Sequence, residues 1–122
     1  MYVQTLKAQN NQSFGMSMTI SNSAKAALKQ RLKNPEDIET LRKLIDDQNR
    51  NKNTSIFLYT QGSHDDTTRL GANMTGKFFT EGIFHQFINP LRFIKKMCKM
   101  ADELELKIAE EKSLSEAIDN LA

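Results

Sequence analysis

Hydrophobic and polar positions alternate over residues 13–20. Phe14, Met16, Met18 and Ile20 are separated by Gly15, Ser17 and Thr19. A period of two places one set on a single face of a strand. Residues 2–8 form a second strand candidate. Asn10-Asn11-Gln12 between them is turn-prone, because asparagine tolerates left-handed backbone. The pattern therefore predicts an N-terminal hairpin. The period then lengthens. Ala24, Ala27, Leu28 and Leu32 recur at helical spacing behind Ser21-Asn22-Ser23, whose side chains can cap a helix. This helix is expected to stop at Asn34-Pro35, since the residue before proline is disfavoured in the helical region. A second helix restarts at the same point. Asn34 suits its N-cap and Pro35 its first position, Glu36 and Asp37 meet the positive end of the dipole, and Ile38, Leu41, Leu44 and Ile45 form its stripe. The polar residues 46–53 read as a loop.

Residues 55–61 are the strongest strand, an almost continuous β-branched and aromatic run. Gly62-Ser63-His64-Asp65-Asp66 is a turn cluster, and residues 67–74 return as the partner strand of a second hairpin. Thr75-Gly76 is expected to join this strand to a helix whose apolar face holds Phe78, Phe79, Ile83, Phe87 and Ile88. Asn89-Pro90 interrupts that helix. A longer one follows over about 91–112, in which Ile94, Met97, Ala101, Leu104 and Ile108 recur at steps of three and four, a short heptad-like seam. Ser113-Leu114-Ser115-Glu116 has the form of a capping box. It predicts a short tail helix with Leu114, Ala117, Ile118 and Leu121 on one face. The expected fold is α+β, a small antiparallel sheet of two hairpins covered by helices, with a long C-terminal helix and a short tail helix. One domain spans 1–122, and 113–122 is a candidate docking or oligomerisation helix.

Composition narrows the function. At 122 residues the chain has material for one core. Its 39% hydrophobic and 26% charged residues support a globular fold over a disordered one. The net charge of +2 argues against a dedicated nucleic-acid coat. One cysteine, Cys98, excludes an intrachain disulfide framework and any multi-cysteine zinc module. The N-terminus lacks a basic start followed by an apolar run, and no stretch approaches the roughly 20 apolar residues of a membrane span. A reduced, cytoplasmic setting without membrane attachment is the expectation, with Cys98 acting as a small apolar side chain on a helix.

Three patterns suggest chemistry. Gly71-Ala72-Asn73-Met74-Thr75-Gly76-Lys77 reproduces the G-x-x-x-x-G-K spacing of phosphate-binding loops. However, Phe78 stands where magnesium binding requires a hydroxyl, and the following residues read as helix, leaving no strand for a metal-binding aspartate. Nucleotide hydrolysis is excluded on both grounds. What remains is an anion site at the expected helix start, built from Arg69, Thr75, Gly76 and Lys77. Second, His64-Asp65-Asp66 offers an imidazole and two carboxylates, but neighbours in an extended segment point apart, so a solvated turn is expected and no metal or cofactor. Third, basic residues cluster at Lys25, Lys29, Arg31 and Lys33 and again at Arg92, Lys95, Lys96 and Lys99, a set that could meet an anionic ligand.

The later cluster belongs to a charge-split helix. Residues 92–99 carry four basic groups and no acid, whereas 102–111 carry Asp102, Glu103, Glu105, Glu110 and Glu111 against Lys107 alone. The helix dipole disfavours that order in an isolated helix. Two antiparallel copies would set each basic half beside an acidic half. The self-association set is then Ile94, Met97, Ala101, Leu104 and Ile108 with Leu114, Ile118 and Leu121. The expectation is a non-enzymatic interaction or regulatory protein, of the inhibitor or accessory type, acting as a homo-oligomer and able to hold a protein partner. The alternative is a binder of a phosphate-bearing ligand, nucleotide or nucleic acid, at residues 75–77.

Overall fold

The structure, a computed structural model, describes residues 17–62 and 68–121. Its elements in chain order are β1 (Met18–Ile20), α1 (Asn22–Arg31), α2 (Pro35–Gln48), β2 (Ile56–Thr60), β3 (Leu70–Met74), β4 (Lys77–Thr80), a 3-10 turn (His85–Phe87) and α3 (Pro90–Asp119). The strands form one mixed sheet in the order β1-β2-β3-β4. The fold is α+β, as expected. The N-terminal hairpin lies mainly on residues outside the described ones. Its described strand, β1, pairs parallel to β2, with Met18 beside Ile56 and Ile20 beside Leu58. The cause is the connection. Two helices separate β1 from β2, and a crossover of that length brings the chain back to the sheet in the same direction, whereas a tight turn would reverse it.

The second hairpin forms as β2 and β3, antiparallel, with Leu58 beside Ala72. The segment expected to open a helix at 75–77 instead makes a further hairpin. Thr75 and Gly76 have φ of 51° and 92°, and β4 folds back on β3 with Ala72 beside Phe79. Two successive positive φ values are what a primed two-residue hairpin turn requires. The Asn73 side chain accepts a hydrogen bond from the Gly76 N–H at 3.0 Å and secures it. Adjacent Phe78 and Phe79 then project to opposite faces of a strand. The sequence around Ile83 to Ile88 is loop and 3-10 turn rather than the helix expected there.

The caps expected at Ser21 and Asn34 form, and Asn89, expected only as an interruption, adds another. Ser21 accepts from Ala24 N, Asn34 from Glu36 N and Asn89 from Leu91 N. Pro35 and Pro90 occupy first-turn positions, where a missing N–H costs nothing. Helix α2 continues through part of the expected loop, to Gln48. Helix α3 runs unbroken for 30 residues, about 45 Å at 1.5 Å per residue, straight through the expected boundary at Ser113. No glycine or proline follows Pro90 to stop it, and the serines among alanine, glutamate, lysine and leucine cost too little to end a helix.

One core joins all three helices to the sheet. The inward strand residues Met18, Ile56, Leu58, Leu70, Ala72 and Met74 meet Ala24, Ala27 and Leu28 of α1 and Leu91, Ile94, Met97 and Ala101 of α3. Leu41, Leu44 and Ile45 of α2 pack at its margin. On the outer sheet face the Phe57 and Tyr59 rings stack at 6.1 Å between centroids. Gly71 leaves the space Tyr59 occupies, since a Cβ there would stand 2.7 Å from its ring.

Candidate functional site

The loop that leads from β4 into α3 is fixed by a buried ion pair. Arg31, the last residue of α1, makes a two-pronged contact with Glu81; the Nη2–Oε2 bond is 2.9 Å. Their side chains are 9% and 4% exposed. A buried pair is tolerable only when its remaining hydrogen-bonding capacity is met. Here it is. Arg31 also donates to the carbonyls of Thr68 at 3.0 Å, His85 at 2.7 Å and Ile88 at 3.0 Å. Glu81 accepts from the Leu70 N–H, and its own carbonyl accepts from Arg69 Nε, each at 2.9 Å. The guanidinium's fixed fork thus ties α1, the start of β3 and the loop over 81–88 to one point. Sequence reasoning placed Arg31 in a surface cluster. One signal for its partner was visible: Glu81 is the only acid between residues 67 and 101.

A second polar node joins α2 to α3. Asn51 Nδ2 donates to Gln48 Oε1 at 2.9 Å and to Asp102 Oδ1 at 2.8 Å, and Gln48 Nε2 donates to Asp102 Oδ1 at 3.2 Å. Ser17 donates to the Asn51 carbonyl. One turn further along α3, Glu105 accepts from the Asn53 N–H at 3.1 Å and from its side-chain amide at 2.9 Å. Slight desolvation pushes the Glu105 carboxyl up, but the bonds from Asn53 and Thr54 outweigh it and hold the group below its ordinary value. Cys98 lies next to this node. Burial first, then the negative charges of Asp102 and Asp47, push its thiol up to about 12, so it stays protonated at neutral pH.

The predicted anion-site residues do not converge. Arg69 precedes β3 and Thr75-Gly76-Lys77 follow it, roughly 20 Å apart along an extended strand. The tip at 75–77 lacks the array of unpaired N–H groups that a helix start would offer, and the Gly76 N–H is already used by Asn73. His64, Asp65 and Asp66 lie outside the described residues. Among the described residues no group of three or more His, Cys, Asp or Glu side chains could hold a metal ion. No helix among them is long and apolar enough to cross a membrane.

The self-association set divides. Ile94, Met97 and Ala101 are at most 1% exposed within the chain itself, so this part of the seam is intramolecular core. They oppose the sheet, as period-matched apolar residues do when a partner element is available. Leu104 and Ile108 are half-buried. From Ala109 to Leu121 every residue is exposed, including Leu114, Ile118 and Leu121. At the other end of α3, the tethered loop exposes Ile83, Phe84 and Phe87. Beside it, Glu81, His85, Ile88, Arg92, Phe93 and Lys96 wall a shallow cavity of about 180 Å³. The charge split adds to this picture: Arg92, Lys95, Lys96 and Lys99 are exposed near the loop, and Glu110 and Glu111 near the exposed leucines. No family model, no curated protein and no solved structure matches this chain.

Proposed function

We propose that this chain is a small non-enzymatic interaction protein that works as a homo-oligomer assembled through its long C-terminal helix, in the manner of an inhibitor or accessory subunit. The observation that carries this reading is the outer part of α3. It leaves the domain after Ile108 and presents Leu114, Ala117, Ile118 and Leu121 on one side, with nothing among the described residues opposite them. An unsupported helix of this length is marginal in water, and most helical stability comes from packing an amphipathic face. The apolar side chains are therefore best explained by a partner, and the charge split along α3 favours a second copy. The phosphate-ligand reading has no equivalent support, because its helix start is a hairpin tip and Arg69 lies at the other end of β3.

Sedimentation velocity over a range of concentrations tests the proposal. The expected result is a mass that rises from monomer to oligomer in the micromolar range, with Leu114→Asp and Ile118→Asp shifting it back to monomer while the inner domain stays folded. A chain that remains monomeric at high-micromolar concentration sinks it.

A further inference from the structure

We propose that the loop over residues 83–88, together with the basic base of α3, is the docking surface for the acidic, apolar end of α3 from a second copy. This rests on the self-association reading above and specifies its geometry. The two surfaces share a composition that argues for mutual cover. Ile83, Phe84 and Phe87 are 75%, 63% and 84% exposed, and Leu114, Ile118 and Leu121 are 64%, 58% and 81% exposed. Apolar groups clustered on this scale mark an interaction site. The loop is also preformed, since Arg31 holds the His85 and Ile88 carbonyls. A rigid receptor loses little entropy on binding.

For the tail to cover a loop, the two must come from different copies. Pro90 and Leu114 are separated by roughly 36 Å of continuous helix, so one chain cannot fold its own tail onto its own loop. An antiparallel helix pair brings the tail of each copy to the loop of the other. The same side of α3 serves both ends. Lys96, Glu103 and Glu110 repeat at seven-residue intervals, and Leu114 and Leu121 continue that stripe. Lys96 also walls the cavity beside the loop. Charge then selects direction. Parallel copies would set like charges side by side along the whole helix, whereas an antiparallel pair with Lys96 opposite Glu110 also sets Lys95 opposite Glu111, two attractive pairs at each end against Lys99 beside Lys107 and Glu103 beside its own copy. In that register Leu114 falls opposite Arg92, and Ile118 and Leu121 reach past Pro90 to the loop that carries Ile88. The pair is two-fold symmetric and self-complementary, as a closed dimer requires.

Cross-linking in the full chain with Cys98→Ala tests the geometry. Ile88→Cys and Ile118→Cys are placed on separate chains, which are mixed and oxidised with oxidised glutathione. The expected result is a disulfide-linked dimer from the mixture and almost none from either chain alone. Linkage within either chain type alone indicates a parallel or tail-to-tail pair and overturns the proposal. A dimer in sedimentation without mixed linkage overturns the docking surface and leaves self-association standing. A monomer overturns both. As a second measurement, Phe84→Asp with Phe87→Asp should weaken dimerisation at least tenfold while the melting temperature of the dilute monomer is kept. Unchanged dimerisation in that variant, too, overturns the proposal.

Discussion

Helix α3 gives six buried residues to the domain between Pro90 and Ala101, and none between Ala109 and Leu121. Apolar residues in both stretches follow helical spacing, so the period alone does not set their fates. What lies opposite does. The inner stretch faces β2, β3 and the end of α2. The sheet ends where Ile56 pairs with Met74, and the last tether to α3 is Asn53 on Glu105. Beyond Ile108 the helix continues because its residues favour helix, and its apolar face has no partner among the described residues. A hydrophobic stripe states that a surface needs cover; it does not state which chain supplies the cover.

The largest expected effect lies at the inner end. Arg31→Ala leaves Glu81 as a buried charge without its partner, and losing one member of such a pair costs about 3–5 kcal/mol. Denaturant unfolding should show that loss. The double variant Arg31→Met with Glu81→Met should recover a good part of it, because no charge is then left buried. A single variant as stable as wild type would show that the loop over 81–88 is held by something other than this pair.

A matched pair of substitutions addresses the contrast directly. Ile94→Ala removes a side chain that is 0% exposed, and such truncations cost about 2–5 kcal/mol. Ile118→Ala should change the unfolding free energy of the dilute monomer by less than about 0.5 kcal/mol, as exposed substitutions generally do. At high concentration the second variant should lose the extra stability that assembly confers by mass action. Equal costs at low concentration would mean that the outer helix packs on its own domain, and the two halves would no longer differ in kind.

Much of the fold was legible because local physics decided it. Asn34-Pro35 and Asn89-Pro90 each cap and open a helix, as their chemistry requires. The β2–β3 pairing followed from two apolar runs flanking a polar turn cluster. Other features depend on long-range partners that no local pattern displays. Arg31 resembled its neighbouring lysines until Glu81, fifty residues away, was placed beside it. Gln48 and Asn51 read as polar loop, yet Asp102 draws them into a buried node. The hairpin at Thr75-Gly76 was missed because a β-branched residue rarely occupies the first position of a primed turn, and the G-K spacing suggested a helix start instead. The capping box at Ser113 was legible and unused, since a cap sequence acts only where something stops the preceding helix. For the site, the exposed leucines of the tail were named from sequence, whereas the loop over 83–88 was hidden inside an expected helix face.

The turn offers a smaller test at the end of the sheet where α3 departs. Thr75 sits at φ 51°, a conformation that costs a β-branched residue roughly 1–2 kcal/mol. Its hydroxyl accepts only a long bond from the Ser55 N–H, 3.4 Å. Thr75→Asn should therefore stabilise the chain by about 1 kcal/mol in thermal or denaturant unfolding. It should leave the oligomer distribution unchanged, because the turn belongs to the inner domain. A shift in oligomer mass would mean that the hairpin tip takes part in assembly and that the boundary between the two regions lies elsewhere.

The smallest effect is expected at Glu105, on the boundary itself. Its carboxylate is held by the Asn53 N–H and amide, and these bonds outweigh the slight desolvation, so its folded pKa lies below the ordinary 4.5. A group whose folded pKa is depressed adds stability that is fully present above the unfolded value. That stability is lost as pH falls through the folded value. Glu105→Gln retains an acceptor for Asn53 but removes the charge. Wild type should therefore exceed the variant by a small, constant margin at neutral pH, and the margin should shrink once pH drops below about 4.5. The group is close to solvent, so added salt should also reduce the margin. Melting temperatures of both proteins across pH 3 to 7 measure this directly. If the margin instead widens in acid, Asn53 is not stabilising the charged form, and the last tether of the inner helix must be assigned to Asp102 and its amide partners.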